Sequence, residues 1–275
     1  MAKPTIRHVA LYTKETEALA RFYTTVFDMK LMHQTGPGGG FHITDGTISF
    51  AILPERSINW LGIEHFGFLI EDTHTILKKM VAAGAREPEK RPPTRPFAEF
   101  RGHDLYGNPF DLSEHGYMHV EYAHERDGTA GEKPEGAQIF SIDDLKPKGR
   151  IRQINTFVPD PREDTRFYKE AFDLEVIEIG ENNGSMHLTD GYVDFTLMNS
   201  GGNDWVKGIH HIGIEIDESD YDTVFWRLIA AGVPAPINTG GPFDEYRCRD
   251  IFGNPFTIST LGFAVSQQTR KHAAA

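Results

Sequence analysis

The chain of 275 residues contains a single cysteine, Cys248, and this scarcity excludes two classes of scaffold. One thiol cannot form an intramolecular disulfide, and it cannot supply the several thiolates of a zinc finger. Long apolar runs are also missing: no segment reaches the roughly 18 residues of a membrane-spanning helix, and the first residues contain no stretch of signal-peptide length. We therefore expect a soluble protein of the cytoplasm with no membrane partner.

Positive charge is scarce as well, since 40 acidic residues outnumber 28 lysines and arginines and give a net charge of −12 at pH 7. An acidic protein repels phosphate backbones, so nucleic acid is not an expected partner. The apolar fraction of 39% and the charged fraction of 25% are ordinary for a globular protein. Disorder over the whole chain is therefore not expected.

The chain does contain an internal duplication. Four segments recur in the same order at an offset of 145 or 146 positions: RFYTTVFDMK with RFYKEAFDLE, HITDG with HLTDG, GIEHFGFLIED with GIHHIGIEIDE, and DLYGNPFDLSEHG with DIFGNPFTISTLG. Matches in one order and at nearly one offset indicate duplication of a unit of about 115 residues.

Each copy contains a pattern that itself occurs twice. A strand (IRHVALYT) leads into an amphipathic helix at about 16–27, and three strand-like runs follow with Gly-rich or T-D-G turns between them. The pattern restarts with a strand (HFGFLIE) and a helix at about 73–83, which Gly84 ends. One βαβββ module leaves a sheet face uncovered, so two modules per copy must pair. The sequence therefore predicts an α+β fold of four tandem βαβββ modules, which form two cupped mixed sheets with helices outside.

The duplication divides the chain into predicted domains. The first domain covers 1–118 and the second covers 150–265, with a linker at 119–149 that is rich in charge, glycine and proline. The last residues, 266–275, are predicted to form a flexible tail. The sequence leaves the oligomeric state open and is compatible with a homo-oligomer.

The doubled module resembles the vicinal oxygen chelate superfamily, which includes glyoxalase I, extradiol ring-cleaving dioxygenases, fosfomycin resistance enzymes and bleomycin resistance proteins. RFYTTVFDMKL is similar to the family signature F-Y-x-x-x-L-G-[FM], with Asp28 in place of the usual glycine. The G-N-x-x-[DE] ending is present as Gly107 to Asp111, after a turn that reads D-L-Y-G-N instead of the common D-P-D-G-N. The resemblance covers nearly the whole chain outside the linker, and it implies the fold more specifically than the reaction.

Metal ligands in this superfamily come from the first strand, the strand that opens the second module and the last strand. The resemblance therefore implies His8, His65 and Asp111 as ligands in the first copy. Strand alternation supports the third choice, because Asp111 faces the side opposite to Phe110 and Leu112. Two histidines and one carboxylate suit Fe(II), and Mn(II) or Zn(II) can use the same set. We expect one divalent metal ion, with Fe(II) favoured.

The second copy has different side chains at these positions. Gln153, His211 and Thr257 are a poor set for a divalent ion, so the first copy is predicted to be the active half. Some members of the superfamily use an interleaved site, in which the first strand of one half completes the site of the other. That arrangement would make Gln153, His65 and Asp111 the ligands.

For the reaction, the resemblance implies an extradiol-type dioxygenase that cleaves a small catechol-like aromatic substrate with Fe(II). A glyoxalase-type lyase or isomerase is an alternative, but it would need a fourth ligand on the fourth strand, where this chain has Ser49 and Ala51. A thiol transferase is a further alternative. A metal-free small-molecule binding protein of the bleomycin resistance type represents a different class of function.

Three further residues are candidates for contact with the substrate. Arg101 and His103 alternate with Glu99 on one strand, and Tyr106 lies in the following turn. Arg101 and Glu99 recur in the second copy, which favours a structural ion pair. His103 becomes Arg249 there, so His103 is the better candidate for proton transfer.

Overall fold

A computed structural model describes residues 2–35, 38–55, 61–92, 98–118, 145–180, 184–203, 208–241 and 246–273. The predicted linker lies outside the described residues except for 145–149. Two sheets of eight strands are present, one for each copy of the repeat. Within the described ranges, no helix is both long enough and apolar enough to cross a membrane.

The first copy contains β1 Thr5–Thr13, α1 Thr16–Phe27, β2 Lys30–Gln34, β3 Phe41–Thr44, β4 Ser49–Pro54, β5 Gly62–Leu69, α2 Thr73–Ala82, β6 Glu89–Lys90, β7 Phe100–His103 and β8 Pro109–Ser113. Its strand order is β2-β3-β4-β1-β5-β8-β7-β6. The two modules meet where β1 pairs with β5 in antiparallel orientation. Both halves of the first cup therefore come from the same copy.

The second copy contains β9 Gly149–Val158, α3 Pro161–Phe172, β10 Glu175–Ile179, β11 Ser185–Thr189, β12 Asp194–Asn199, β13 Gly208–Ile216, α4 Tyr221–Ala230, β14 Ile237–Asn238, β15 Tyr246–Arg249, β16 Pro255–Ser259 and α5 Ala264–Ala273. Its sheet repeats the first, in the order β10-β11-β12-β9-β13-β16-β15-β14. The α+β fold of four tandem modules is thus confirmed. Helix α5 covers most of the segment for which the sequence predicts a flexible tail.

The first helix of each copy packs against the sheet of the other copy. In α1, apolar residues recur at helical spacing and are buried, and Phe27 at its end lies 5.8 Å from Phe256 of β16 between ring centroids. In α3, Phe172 stacks on Phe68 of β5 at 4.0 Å. Both helices belong to one continuous cluster of buried side chains, so the two copies share an apolar core.

The repeated T-D-G turns also join the copies. Asp45 accepts a hydrogen bond from the N–H of Ile151 at 2.6 Å, and Asp190 accepts one from the N–H of Ile6 at 2.7 Å. These buried main-chain donors would otherwise lack a partner, which is costly in a protein interior. Each turn therefore fixes the first strand of the other copy, and that strand carries one candidate ligand position, His8 or Gln153.

Candidate metal centre

The candidate site lies on the concave face of the first sheet, where β1, β5 and β8 are neighbours. The strand register places Gly67 between His8 and Asp111 and places His65 opposite Ala10. Because side chains alternate along a strand, the apolar neighbours of the three candidate ligands belong to the core on the other face: Val9, Phe66, Phe110 and Leu112. The three strands thus direct two imidazoles and one carboxylate into the same cup.

His8, His65 and Asp111 meet in this cup. Each offers one ligand atom, and these atoms all lie within 4.8 Å of one another. The three side chains are 3–4% exposed. His65 Nε2 lies 3.2 Å from Asp111 Oδ2, and the rings of His8 and His65 are 5.4 Å apart between centroids. The structure therefore brings together the ligand set that the sequence predicts within the first copy.

The interleaved set is not brought together in the same way. Gln153 lies in the second sheet, where its Nε2 is 3.3 Å from Asp194 Oδ2 and its Oε1 accepts from Asn155 Nδ2 at 2.8 Å. In its sheet, β5 lies between β1 and β8, and β9 belongs to the other sheet. The first strand in the sheet of His65 is therefore β1, which carries His8, and Gln153 lies on β9 in the other sheet.

Two candidate ligands have charged partners behind them. Glu64 accepts a hydrogen bond from His65 Nδ1, and Nε2 of the same ring faces Asp111. Arg101 donates from Nε to Asp111 Oδ1 at 2.6 Å and from Nη1 to Glu64 at 3.2 Å. One guanidinium therefore holds both carboxylates, and such outer partners are typical of ligands in metal sites.

Burial and the neighbouring charges shift the pKa of Asp111 and the pKa values of the two histidines. Burial alone would raise the pKa of Asp111, but His65 and Arg101 outweigh it and hold that pKa well below its usual range. Burial and the neighbouring His65 lower the pKa of His8, so this imidazole is neutral. Burial lowers the pKa of His65, but Asp111 and Glu64 outweigh burial and raise that pKa above its usual value, so a metal ion at this ring would compete with a proton.

The residues present fit a divalent ion. His8 Nδ1 is buried and has no hydrogen-bond partner among the described residues. Leaving such a nitrogen unsatisfied costs about 1–3 kcal/mol, which explains why buried polar atoms without a partner are uncommon. A metal ion is a partner that this cluster could accommodate, because the donor set of two imidazoles and one carboxylate is a common one for Fe(II), Mn(II) and Zn(II).

The cup has a floor of small side chains beside the three candidate ligands. The register aligns His42, Ala51, Ala10 and His65 in one row across β3, β4, β1 and β5. Since neighbouring strands lie about 4.8 Å apart, the Cα atoms of the two histidines are separated by about 14 Å, with only two methyl groups between them. Burial, and to a lesser extent His33, lowers the pKa of His42 to about 3, so this ring is neutral at physiological pH.

The corresponding floor of the second cup is filled by polar side chains. Thr196 and Asn155 replace the two alanines. His187, the counterpart of His42, lies 3.0 Å from Asp194 through its Nδ1. Asp194 also accepts from the N–H of Ala264 at the start of α5, at 3.2 Å. The second cup is therefore occupied by its own hydrogen-bonded side chains.

Arg101 and His103 lie on β7, at the edge of the first cup. The sequence favoured Glu99 as the partner of Arg101, but the carboxylates that the guanidinium holds are Asp111 and Glu64, as described above. Glu99 contacts His115. The difference arises because the alternation along β7 does not reveal which residue of β8 lies opposite, and the register pairs Arg101 with Asp111.

His103 and Tyr106 have partners away from the three candidate ligands. The guanidinium of Arg86 lies 2.6 Å from His103 Nδ1, and burial together with this charge lowers the pKa of His103. The hydroxyl of Tyr106 donates to Glu163 on α3 at 2.6 Å, so it forms a contact between the two copies. That contact depends on how the copies dock, which a turn motif in the sequence does not report.

Tyr117, which follows β8, was not among the candidates predicted from the sequence. Its ring stacks on the ring of His8, with centroids 4.6 Å apart and an interplanar angle of 7°. A signal was present in the repeat, because an aromatic residue, Phe263, stands at the same place after the last strand of the second copy.

Paired βαβββ modules with a buried His, His and Asp cluster in one cup define a class of two-domain α+β proteins with a candidate metal centre. Residues 5–112 match the family model of the Glyoxalase/Bleomycin resistance protein/Dioxygenase superfamily. This match over the first copy confirms the predicted resemblance to that superfamily, which is also called the vicinal oxygen chelate superfamily.

Several solved structures have the same fold. The 2,3-dioxygenase LapB from Pseudomonas sp. KL28 is 15% identical, with a TM-score of 0.65 over 92% of this chain and 91% of that chain. The Mn(II)-bound glyoxalase from Novosphingobium aromaticivorans is 13% identical, with a TM-score of 0.66 over 95% and 84% of the two chains. The halotolerant catechol dioxygenase BphC is 13% identical, with a TM-score of 0.63 over 92% and 85%. At these identities the likeness shows the fold alone. No curated protein matches the sequence.

Proposed function

We propose that the first copy binds one divalent metal ion through His8, His65 and Asp111, and that the protein is an extradiol-type dioxygenase acting on a small catechol-like aromatic substrate. Fe(II) is the favoured metal. The observation that carries this proposal is the buried cluster of three ligand atoms within 4.8 Å of one another. Two histidines and one carboxylate on one side of an ion leave its other positions open to a chelating substrate and to oxygen.

The side chain next to His8 favours this reaction over a glyoxalase-type one. Ser49 lies opposite His8 on β4, at the place where a fourth carboxylate ligand would be needed. Its hydroxyl is buried and has no hydrogen-bond partner among the described residues. A neutral hydroxyl is a weaker ligand than a carboxylate, and it cannot carry the proton that an isomerase moves. Two of the structural relatives are named dioxygenases and one a glyoxalase, so the fold is compatible with both.

A bound divalent ion would supply Lewis acidity toward a chelating hydroxyl and, if it is Fe(II), redox chemistry with dioxygen. Asp111 contributes the negative charge of the site, and because Arg101 engages Oδ1, Oδ2 is the oxygen that would ligate the ion. Glu64 holds His65 in the tautomer whose Nε2 can ligate. These contacts set the ligand geometry before the ion is bound.

The alanine floor supports an aromatic substrate. A flat ring fits over Ala10 and Ala51, between His65 on the metal side and His42 on the far side. Apolar walls with a few polar groups at their ends are typical of small-molecule sites. The neutral imidazole of His42 would offer a hydrogen bond to the edge of the ring that points away from the metal.

Elemental analysis of protein purified without chelator tests the metal. We expect about one Fe, Mn or Zn per chain in the wild type and loss of this metal in Asp111→Ala, because the carboxylate is the only anionic ligand. Thr257→Ala, at the equivalent position of the second copy, is the matched control and should retain the metal. Unchanged content in Asp111→Ala would exclude the proposed site.

Oxygen consumption tests the reaction. After anaerobic loading with Fe(II), a panel of catechols should support oxygen uptake together with the absorbance of a ring-opened product. Absence of uptake, combined with metal-dependent turnover of a thiohemiacetal, would favour the glyoxalase class. Stoichiometric binding of an aromatic ligand by metal-free protein, without turnover, would favour a binding protein.

A further inference from the structure

The three candidate ligands differ in how they are oriented. His65 is held by its hydrogen bond to Glu64, and Asp111 is held by the guanidinium of Arg101. Among the described residues, no hydrogen bond at a ring nitrogen orients His8 in this way. Metal-ligating histidines usually have a hydrogen-bonded partner at the second ring nitrogen, and this partner fixes the ring. The ring of His8 must therefore be oriented by the contact on its face.

Tyr117 makes that contact. Its ring is nearly parallel to the ring of His8, with centroids 4.6 Å apart, and its side chain is 1% exposed. Its hydroxyl donates to the main-chain oxygen of Phe68 at 3.3 Å, on β5, the strand that carries His65. The phenol is thus fixed at both ends, by the imidazole on one side and by the sheet on the other.

Gly67 provides the space for this arrangement. A Cβ atom at Gly67 would lie 2.5 Å from the Tyr117 hydroxyl oxygen and 3.0 Å from His8 Cβ. Glycine inside a strand weakens the strand, and it often marks a close approach of another group to the backbone. The absence of a side chain at Gly67 therefore leaves room for Tyr117 on β5, between the strands that carry His8 and Asp111.

The second copy has an equivalent glycine beneath an aromatic ring. A Cβ atom at Gly213 would lie 2.4 Å from Phe263 Cζ and 2.8 Å from Gln153 Cβ. An aromatic ring over a glycine is thus common to both cups. The first cup differs by having a phenol where the second has a phenyl ring, and an imidazole where the second has an amide.

We propose that Tyr117 is a positioning residue for the metal centre: its stacked ring holds His8 in the orientation that directs a ring nitrogen toward His65 and Asp111, and its hydroxyl anchors the ring to Phe68. This rests on the proposed function, because it concerns the ligands of the same metal site. It assigns to Tyr117 the part that Glu64 and Arg101 perform for the other two ligands.

Titration of metal-free protein with Co(II), followed by its visible absorption bands, tests the proposal without any substrate. Loss of the partner that orients a ligand typically weakens metal binding by about 10–100-fold, and we expect this for Tyr117→Leu. Tyr117→Phe keeps the stacked ring and loses one hydrogen bond, so a weakening of only a few-fold is expected. Phe263→Leu removes the equivalent ring in the second cup and should leave Co(II) affinity unchanged.

Nitrogen-15 NMR of the histidine rings in metal-free protein gives a second reading. The wild type should show one orientation and one tautomer for His8, and Tyr117→Leu should show averaged signals. Unchanged Co(II) affinity together with unchanged His8 signals in Tyr117→Leu would overturn the proposal. If Tyr117→Leu does not fold, Tyr117→Phe decides, and Co(II) affinity equal to that of the wild type would overturn the anchoring role. If the wild type binds no Co(II), the proposed function fails, and the NMR comparison still decides whether Tyr117 orients His8.

Discussion

The carboxyl groups of Asp104 and Asp164 are buried next to each other across the interface between the two copies. Asp104 lies in the turn before β8 and accepts from the N–H groups of Tyr106 and Asn108, whereas Asp164 lies on α3. Two adjacent carboxyl groups cannot both ionise at low cost. Burial, followed by the charge of Asp104, raises the pKa of Asp164 well above its usual range, so Asp164 keeps the proton.

This pair predicts a stability that falls as the pH rises. In the folded state Asp164 retains its proton at pH values where the unfolded chain has already released it, so unfolding becomes easier from about pH 4 up to the raised pKa. Asp164→Asn can still donate to Asp104 but does not ionise. We expect its advantage in free energy of unfolding over the wild type to grow with pH, by about 1.4 kcal/mol for each pKa unit of the shift.

Urea denaturation at pH 5, 6.5 and 8 measures this difference. Asp164→Leu is a useful comparison, because Leu19 stands at the equivalent position of the other copy, where Tyr23 donates to Asp250. An Asn variant with the same pH profile as the wild type would mean that the pair does not hold a proton.

The unusual residue of the family signature, Asp28, has a structural reason that can be tested. It ends α1 with a φ of 56°, and Arg227 of the other copy lies 3.0 Å from its carboxylate. Asp173 repeats this geometry with Lys79 at 2.8 Å. The left-handed conformation costs most residues about 1–2 kcal/mol, and a half-exposed ion pair returns about 0–1 kcal/mol.

We therefore expect Asp28→Ala to lower the free energy of unfolding by about 1–2 kcal/mol and Asp28→Gly to change it by less than about 0.5 kcal/mol, because glycine removes the strain as well as the ion pair. Chemical denaturation of both variants, with the same changes at Asp173 as controls, measures this. A glycine variant less stable than the alanine variant would show that the ion pair dominates.

The helix at 16–27 could be predicted from the local periodicity of the sequence, whereas the candidate ligand set came from the resemblance to the superfamily, and its three side chains lie together in the structure. Strand alternation supported the choice of Asp111. The partners of Arg101 could not be read, since they depend on the register between β7 and β8 and between neighbouring strands. Tyr106 was assigned to the site, but its contact with Glu163 depends on how the two copies dock. Long-range register and docking are determined by packing over the whole core, and short motifs do not encode them.

Arg101 neutralises the buried carboxylate of Asp111 and the partly buried carboxylate of Glu64, so its removal should destabilise the metal-free protein. Breaking a buried ion pair by removing one partner typically costs about 3–5 kcal/mol, and we expect this for Arg101→Met. A saturating divalent ion supplies positive charge to Asp111 and should restore part of the loss, so Co(II) should raise the melting temperature more in the variant than in the wild type. Arg247→Met, at the exposed equivalent in the second copy, should change stability by less than about 0.5 kcal/mol. Equal effects of the two substitutions would contradict the role of Arg101.

The alanine floor predicts that a substitution can weaken substrate binding without changing metal binding. Ala51→Thr copies Thr196 of the second cup and places a methyl and a hydroxyl group between His42 and His65, where the ring of the substrate would lie. Because position 51 offers no ligand atom, the metal content should stay at the wild-type level. The added atoms should raise KM for catechols, and the Kd of 4-nitrocatechol measured by absorbance, by about 10-fold or more. Thr196→Ala should leave both constants unchanged, since we expect the substrate to bind in the first cup. If Ala51→Thr alters neither constant while metal is bound, the aromatic ring does not lie on this floor, and the substrate must reach the metal from another side of the cup.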